Sequence, residues 1–201
     1  MNPALQTAMP KRPELTFPPK VVEAVRLAYA EAGVILEYGS GGSTVMAAEM
    51  PGKHVTSVES DGTWAQMMRD WFAANPPASR VEVVHADIGQ MENWGYPLDD
   101  SAWRSFAAYP MAVWDRPDMP HPDVVLVDGR FRTGCVLATA FRITRPVTLL
   151  FDDYVNRPEY HEIEAFVGQP THIGRLAVFD IAPMAVPGDR LLDVFRMMTH
   201  A

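Results

Sequence analysis

The residues that could do chemistry are carboxylates that recur at one kind of place. Glu37, Glu59, Asp87, Asp128 and the pair Asp152-Asp153 each close a short apolar run. The runs are "VILEY", "HVTSVE", "RVEVVHAD", "DVVLVD" and "VTLLFDD". If those runs are parallel strands, all five acidic ends lie on one rim. A single acid at a strand end is ordinary, but five in one crevice repel one another unless they face hydroxyls, amines or cations. Between the first and second of them runs Gly39-Ser40-Gly41-Gly42-Ser43, a glycine turn that lets a ligand approach the backbone closely. Glu59 follows Gly39 by a spacing that suits a carboxylate accepting two ribose hydroxyls. Asp87 could accept from an adenine amino group, with Ile88 beside it. Glu37 would favour a positively charged amino group, directly or through water.

This pattern suits some ligands and opposes others. A carboxylate beside the glycine turn is unfavourable for a pyrophosphate, and Thr44 stands where a dinucleotide fingerprint wants its third glycine. No Gly-Lys-Ser/Thr follows, which excludes a P-loop. The formal net charge of -8 gives no footprint for a nucleic-acid backbone. One cysteine, Cys135, excludes an internal disulfide and suits a reducing, cytoplasmic setting. The first residues contain no continuous apolar stretch of a secretory signal, and no run reaches a membrane span.

The elements that must position these groups alternate. A proline-rich arm, residues 1–19, carries Pro3, Pro10, Pro13, Pro18 and Pro19. A single domain, residues 20–201, follows. The spacing predicts helices over 20–33, 43–50, 60–75, 130–143 and 157–168, with strands between them. Trp64, Met67, Met68, Trp71 and Phe72 share one face of the third helix. Within the irregular segment 88–122, "DDSAWRSFAAY" reads as a helix with Trp103, Phe106 and Tyr109 in the core. Trp94 and Tyr96 are candidates to cap an acceptor site. At the end, "RLAVFDI" and "RLLDVFR" read as two strands of a hairpin. The sum is an α/β fold, a mostly parallel sheet with helices on both faces and an antiparallel terminal strand.

Taken in order, "VILEYGSGGST", "VTSVES", "VHADI" and "DVVLVDGR" resemble the strand-end motifs of class I S-adenosylmethionine-dependent methyltransferases. The resemblance spans roughly residues 20–200. It implies a Rossmann-like seven-stranded sheet whose last strand is antiparallel. It implies that Glu37, Gly39, Ser40, Gly41 and Ser43 hold the methionine end of S-adenosylmethionine. Glu59 would hold the ribose, Asp87 and Ile88 the adenine, and Asp128 would also touch the cofactor. Ser43 replaces the third glycine of many members. The implied activity is methyl transfer to an oxygen or nitrogen of a small molecule, with Asp128, Arg130 and Asp153 as catalytic candidates.

Asp128, Asp152 and Asp153 also resemble the Mg²⁺-binding acids of the metal-dependent catechol O-methyltransferases. Asp153 stands where that group usually has Asn, and Gly129-Arg130 follows Asp128 where it has Ala. The other reading is that these acids are rim residues. Arg130 and Arg132 either pair with the acids or grip a carboxylate or phosphate on the acceptor. His85 is expected to be packed or bonded to backbone, Cys135 to be a core thiol, and His161 is a candidate base near the rim. Two other readings remain: a silent cofactor- or nucleoside-binding module, and an NAD-dependent oxidoreductase. A homodimer is the candidate oligomer; neither nucleic acid nor membrane is an expected partner.

Overall fold

A computed structural model describes residues 11–92 and 95–201. The strands are β1 (Val34–Tyr38), β2 (His54–Glu59), β3 (Arg80–His85), β4 (Val124–Val127), β5 (Val147–Phe151), β6 (Thr171–Ile173) and β7 (Leu176–Ile181). They form one sheet in the order β3-β2-β1-β4-β5-β7-β6. Strands β1 to β5 are parallel, and β7 runs antiparallel to both β5 and β6. The order reverses between β1 and β4, the point at which an open parallel sheet leaves a crevice at its carboxyl edge.

Strand periodicity explains the two cores. In β4, Val125 and Val127 join the cluster on one face, while Val124 and Leu126 join the cluster on the other. A strand covered on both faces needs this continuous aliphatic run. One face is covered by α1 (Pro19–Glu31), which buries Val21, Val25 and Tyr29, together with α2 (Gly42–Glu49). A third small cluster lies under α3 (Gly62–Ala74), around Ala65 and Met68. The opposite face is covered by α4 (Trp103–Phe106), α5 (Ala108–Met111), α6 (Arg132–Arg142) and α8 (Leu191–Thr199), with α7 (Glu164–Val167) at its margin.

Several local expectations are corrected. The run 190–196 is helical, not a strand. Val194, Met197 and Met198 turn inward at helical spacing, and Leu191, Leu192 and Phe195 turn outward. Gly134 of α6 admits the close approach, because a Cβ there would stand 2.8 Å from the Met197 carbonyl. The hairpin is made instead by β6 and β7, turned at Gly174 (φ +63°). The stretch 100–115 is broken into short 3-10 and α segments, with Pro110 inside α5. Phe106 and Tyr109 are core as expected, but Trp103 is 55% exposed, with the Arg104 guanidinium 5.2 Å from its ring centre. Residues 158–163 wind as a 3-10 helix before α7. No helix among the described residues is long and apolar enough to cross a membrane.

Candidate functional site

The site begins where β1 ends. Gly39 has φ +100°, and a Cβ on it would lie 2.9 Å from the Gly129 amide nitrogen. Glycine at this position therefore lets the β1 and β4 loops touch. The next residues lead into α2, and Thr44 ties the turn together. Its hydroxyl accepts from the Gly41 amide at 2.9 Å and donates to Glu37 at 2.5 Å. Tyr29 donates to the other Glu37 oxygen at 2.6 Å. Glu37 is fully buried, and burial raises its pKa against the opposing bonds from Thr44 and Tyr29. Of the two ways in which Glu37 is expected to meet a ligand amino group, directly or through water, the structure opposes the direct one. Glu37 lies beneath the turn and braces it, because both carboxylate oxygens are directed at α1 and α2.

Glu59 is the acid that reaches open space. One oxygen accepts from the Ser40 amide at 3.0 Å and the other from the Asp61 amide at 2.9 Å. Burial raises its pKa, with those amides opposing. Ser40 is further fixed by Ser57, its Oγ 2.7 Å away, and by the Trp64 indole, which donates to its carbonyl at 2.8 Å. Trp64 is thus half-exposed beside the turn instead of packed with its helix face. A cavity of about 660 Å³ opens here, within the range of small-molecule sites. Gly39, Ser40, Gly41, Ser43, Glu59 and Asp128 line it.

Its remaining wall is unexpected. Residues 11–17 of the proline-rich arm run across the cavity mouth. Phe17 anchors the arm in the α1 core, and Arg12 grips Glu49 of α2 with two bonds, at 2.6 and 2.9 Å. A Cβ on Gly42 would collide with the Glu14 and Leu15 backbone, so only glycine admits the arm here. The prolines signal an extended arm, but its partner on α2 has no local sequence signature. Residues 1–10 of the expected arm, and Trp94, lie outside the described residues. Asp87 and Ile88 do not line the cavity. Asp87 is exposed and accepts from the Gly89 amide at 2.9 Å, while Ile88 packs in the core.

Beyond β4 and β5 the acids meet arginines. Asp152 is fully buried and held by Arg175, whose Nε lies 3.0 Å from one oxygen and whose second nitrogen bonds the other. Asp153, at φ +57°, lies 3.1 Å from Arg175 and 3.4 Å from Arg157. Asp128 lies 3.3 Å from Arg132, which also donates to the carbonyls of Gly129, Asp152 and Asp128. The expected metal set is therefore corrected. Both Asp152 oxygens are spent on a guanidinium, and no group of three potential metal ligands gathers among the described residues. The donor set does not fit Mg²⁺.

Asp128 differs from its neighbours because part of its side chain opens to the cavity. Burial pushes its pKa up to about 7, helped by Asp152 and Asp153 and opposed by Arg132 and Arg175. Arg130 lines the cavity beside it. His161 faces a backbone carbonyl, that of Tyr154 at 3.2 Å, and stacks on the Tyr154 ring. His85 likewise faces the Ser60 carbonyl at 3.1 Å, and Cys135 is a core thiol. Sequence reasoning missed Tyr29, Thr44, Arg157 and Arg175. Arg175 sits in a hairpin turn that no motif marks.

No family pattern and no curated protein matches the chain. Solved structures do. A methyltransferase-like protein from Silicibacter pomeroyi DSS-3 is 60% identical, covers 94% of this chain and 99% of its own, and superposes with a TM-score of 0.92. Cofactor-bound Rv0187 from MTB shares the fold at 17% identity, covering 85% and 84%, with a TM-score of 0.58. A methyltransferase from Geobacter sulfurreducens does so at 11% identity, covering 84% and 82%, with a TM-score of 0.54. The O-methyltransferase TomG from Streptomyces achromogenes, solved with S-adenosylmethionine, matches at 14% identity over 82% and 80%, with a TM-score of 0.50. With the strand-end motifs on one rim of a seven-stranded sheet and a relative identical at six positions in ten, the chain belongs to the class I S-adenosylmethionine-dependent methyltransferase family.

Proposed function

We propose that this protein binds S-adenosylmethionine in the cavity under the glycine turn and transfers its methyl group to an oxygen or nitrogen of a small molecule. The observation that carries the reading is Glu59. It is a nearly buried carboxylate, fixed by two backbone amides at the wall of a cavity whose other side is the glycine turn. The oxygen that accepts from Ser40 keeps a free lone pair for a ribose hydroxyl, while the other also faces the Ser60 hydroxyl at 3.4 Å. Gly39, Ser40, Gly41 and Ser43 supply the surface for the methionine end, and the arm residues 11–17 close over it. Asp87, exposed just beyond β3 and outside the cavity lining, is the remaining candidate for the adenine amino group, and Ile88 is a core residue.

In the transfer, the acceptor's lone pair attacks the methyl carbon in line with the breaking C–S bond. The sulfonium becomes a neutral thioether, and the acceptor's proton must leave. Asp128 is the group suited to take it. It is the only one of the three rim acids that lines the cavity, and a pKa near neutrality lets it accept and release a proton. Asp153 is held by two arginines, and its role is to fix them.

The experiment is turnover. Purified protein is incubated with S-adenosylmethionine and small hydroxyl- and amine-bearing acceptors, and S-adenosylhomocysteine release is matched to methylated product. The expected result is stoichiometric release, unchanged by a chelator. Cofactor binding with no acceptor methylated would favour a silent binding module.

A further inference from the structure

The acid that the sequence assigns to a ligand amino group is sealed off. Glu37 lies beneath the glycine turn, with its two oxygens bonded to Tyr29 and Thr44. An amino-acid ligand end carries an α-ammonium and an α-carboxylate, and neither is cheaply desolvated without a partner. Among the described residues, the carboxylates that line the cavity are Glu14, Glu59, Asp61 and Asp128. Glu59 accepts from the Ser40 and Asp61 amides and is the ribose candidate. Asp61 caps α3, accepting from the Thr63 and Trp64 amides at 2.8 and 3.0 Å. Asp128 stands beyond β4 beside Arg132. Glu14 remains.

Glu14 belongs to the arm, and packing places it over the turn. Its backbone lies against Gly42, so close that a Cβ there would collide with it. The arm is fixed on both sides of that contact, by Phe17 in the α1 core and by the two bonds from Arg12 to Glu49. Glu14 therefore has a defined place without being buried. Its ion-pair partner among the described residues is Lys11, at 2.8 Å, and Lys11 lines the same cavity. The two side chains are 84% (Lys11) and 70% (Glu14) exposed, so the pair is weak and re-pairing costs little. Two opposite charges at ion-pair spacing, mounted at the wall of a cavity, complement a zwitterion. A phosphate at the same place would meet a like charge in Glu14.

We propose that Lys11 and Glu14 form a clasp for the amino-acid end of the cofactor, Glu14 taking its α-ammonium and Lys11 its α-carboxylate. This assignment rests on the cofactor half of the methyl-transfer reading. It makes the arm a specificity element, which separates a nucleoside that carries an amino acid from one that does not.

The test compares S-adenosylhomocysteine with 5′-methylthioadenosine, which keeps the nucleoside and lacks the amino-acid end. Both are titrated calorimetrically into the whole protein as wild type, Glu14→Gln, Lys11→Met and the double variant. Wild type should bind S-adenosylhomocysteine at least about tenfold more tightly. Each single variant should lose about fivefold or more for S-adenosylhomocysteine and stay within about twofold for 5′-methylthioadenosine, whose unchanged binding also reports folding. Raising the salt from about 50 mM to about 500 mM should narrow the wild-type preference and leave that of the double variant in place. The clasp is overturned if the variants keep wild-type affinity for S-adenosylhomocysteine. It is equally overturned if they lose both ligands alike, since the arm would then act by closure and not by charge. Failure of both nucleosides to bind the wild type would reject the cofactor reading and the clasp with it.

Discussion

Replacing Gly42 by alanine isolates what the arm does. Gly42 is the first residue of α2 and carries no positive φ, so alanine is conformationally acceptable there. What it cannot tolerate is the arm, since the new Cβ would strike the Glu14 and Leu15 backbone, which has no rotamer to yield. The arm should lift from Phe17 outward. Little folding energy goes with it, because the Arg12–Glu49 pair is half-exposed on both sides and contributes at most about 1 kcal/mol. Global unfolding should shift by under about 4 °C. Cofactor affinity should respond more. If lifting the arm returns about 60 Å² of apolar ligand surface to water, about 1.5 kcal/mol is lost, or roughly tenfold in Kd. Calorimetry with S-adenosylhomocysteine reads the affinity, and hydrogen exchange over residues 11–17 reads the arm. Wild-type affinity in Gly42→Ala, with exchange over 11–16 visibly accelerated, would show that the arm is no part of the cofactor site.

Other outcomes follow from the buried charges. Arg175→Met strands the Asp152 carboxylate and should cost about 3–5 kcal/mol in urea unfolding, and adding Asp152→Asn should recover most of it. A loss under about 1 kcal/mol would contradict the pairing. The raised pKa of Asp128 means the native state binds a proton that the unfolded chain has released. Its penalty is absent below about pH 4, grows through the interval to about pH 7, and is complete above it. The full shift corresponds to an upper bound of about 4 kcal/mol, reduced to about half by the opening to the cavity. Asp128→Asn should therefore gain stability over wild type between about pH 5 and pH 8, by about 1–2 kcal/mol; a difference flat with pH would refute it. Tyr29→Phe removes a hydrogen bond to a buried carboxylate and should lower stability by about 1.5–3 kcal/mol, seen as a thermal midpoint lower by about 4–10 °C.

Much of the sheet could be read because burial imposes it. β1, β4 and β5 are mostly aliphatic runs that suit a strand buried on both faces, and their acidic ends fell together once the strands were parallel. The C-terminal run was misread because "LLDVF" satisfies two periods over so few residues. Only the packing of Val194, Met197 and Met198 against α6 decides for the helix. Glu37 and Glu59 show the same limit at the site. Both end a strand at the carboxyl edge, yet one is sealed by Tyr29 and Thr44 and the other opens to the cavity. The distinction depends on which helix packs above, which is a tertiary fact. The metal expectation failed for a related reason: Arg175 arrives from a hairpin turn distant in sequence, and its charge takes the place a cation would fill.

The central claim is that Glu59 and the glycine turn hold S-adenosylmethionine. The direct measurement is calorimetric titration of S-adenosylhomocysteine into wild type and Glu59→Ala. One equivalent should bind to the wild type, and the variant should lose about 1.5–3 kcal/mol, the value of hydrogen bonds to a charged group. Absence of any binding to the wild type by either S-adenosylhomocysteine or S-adenosylmethionine would contradict the account.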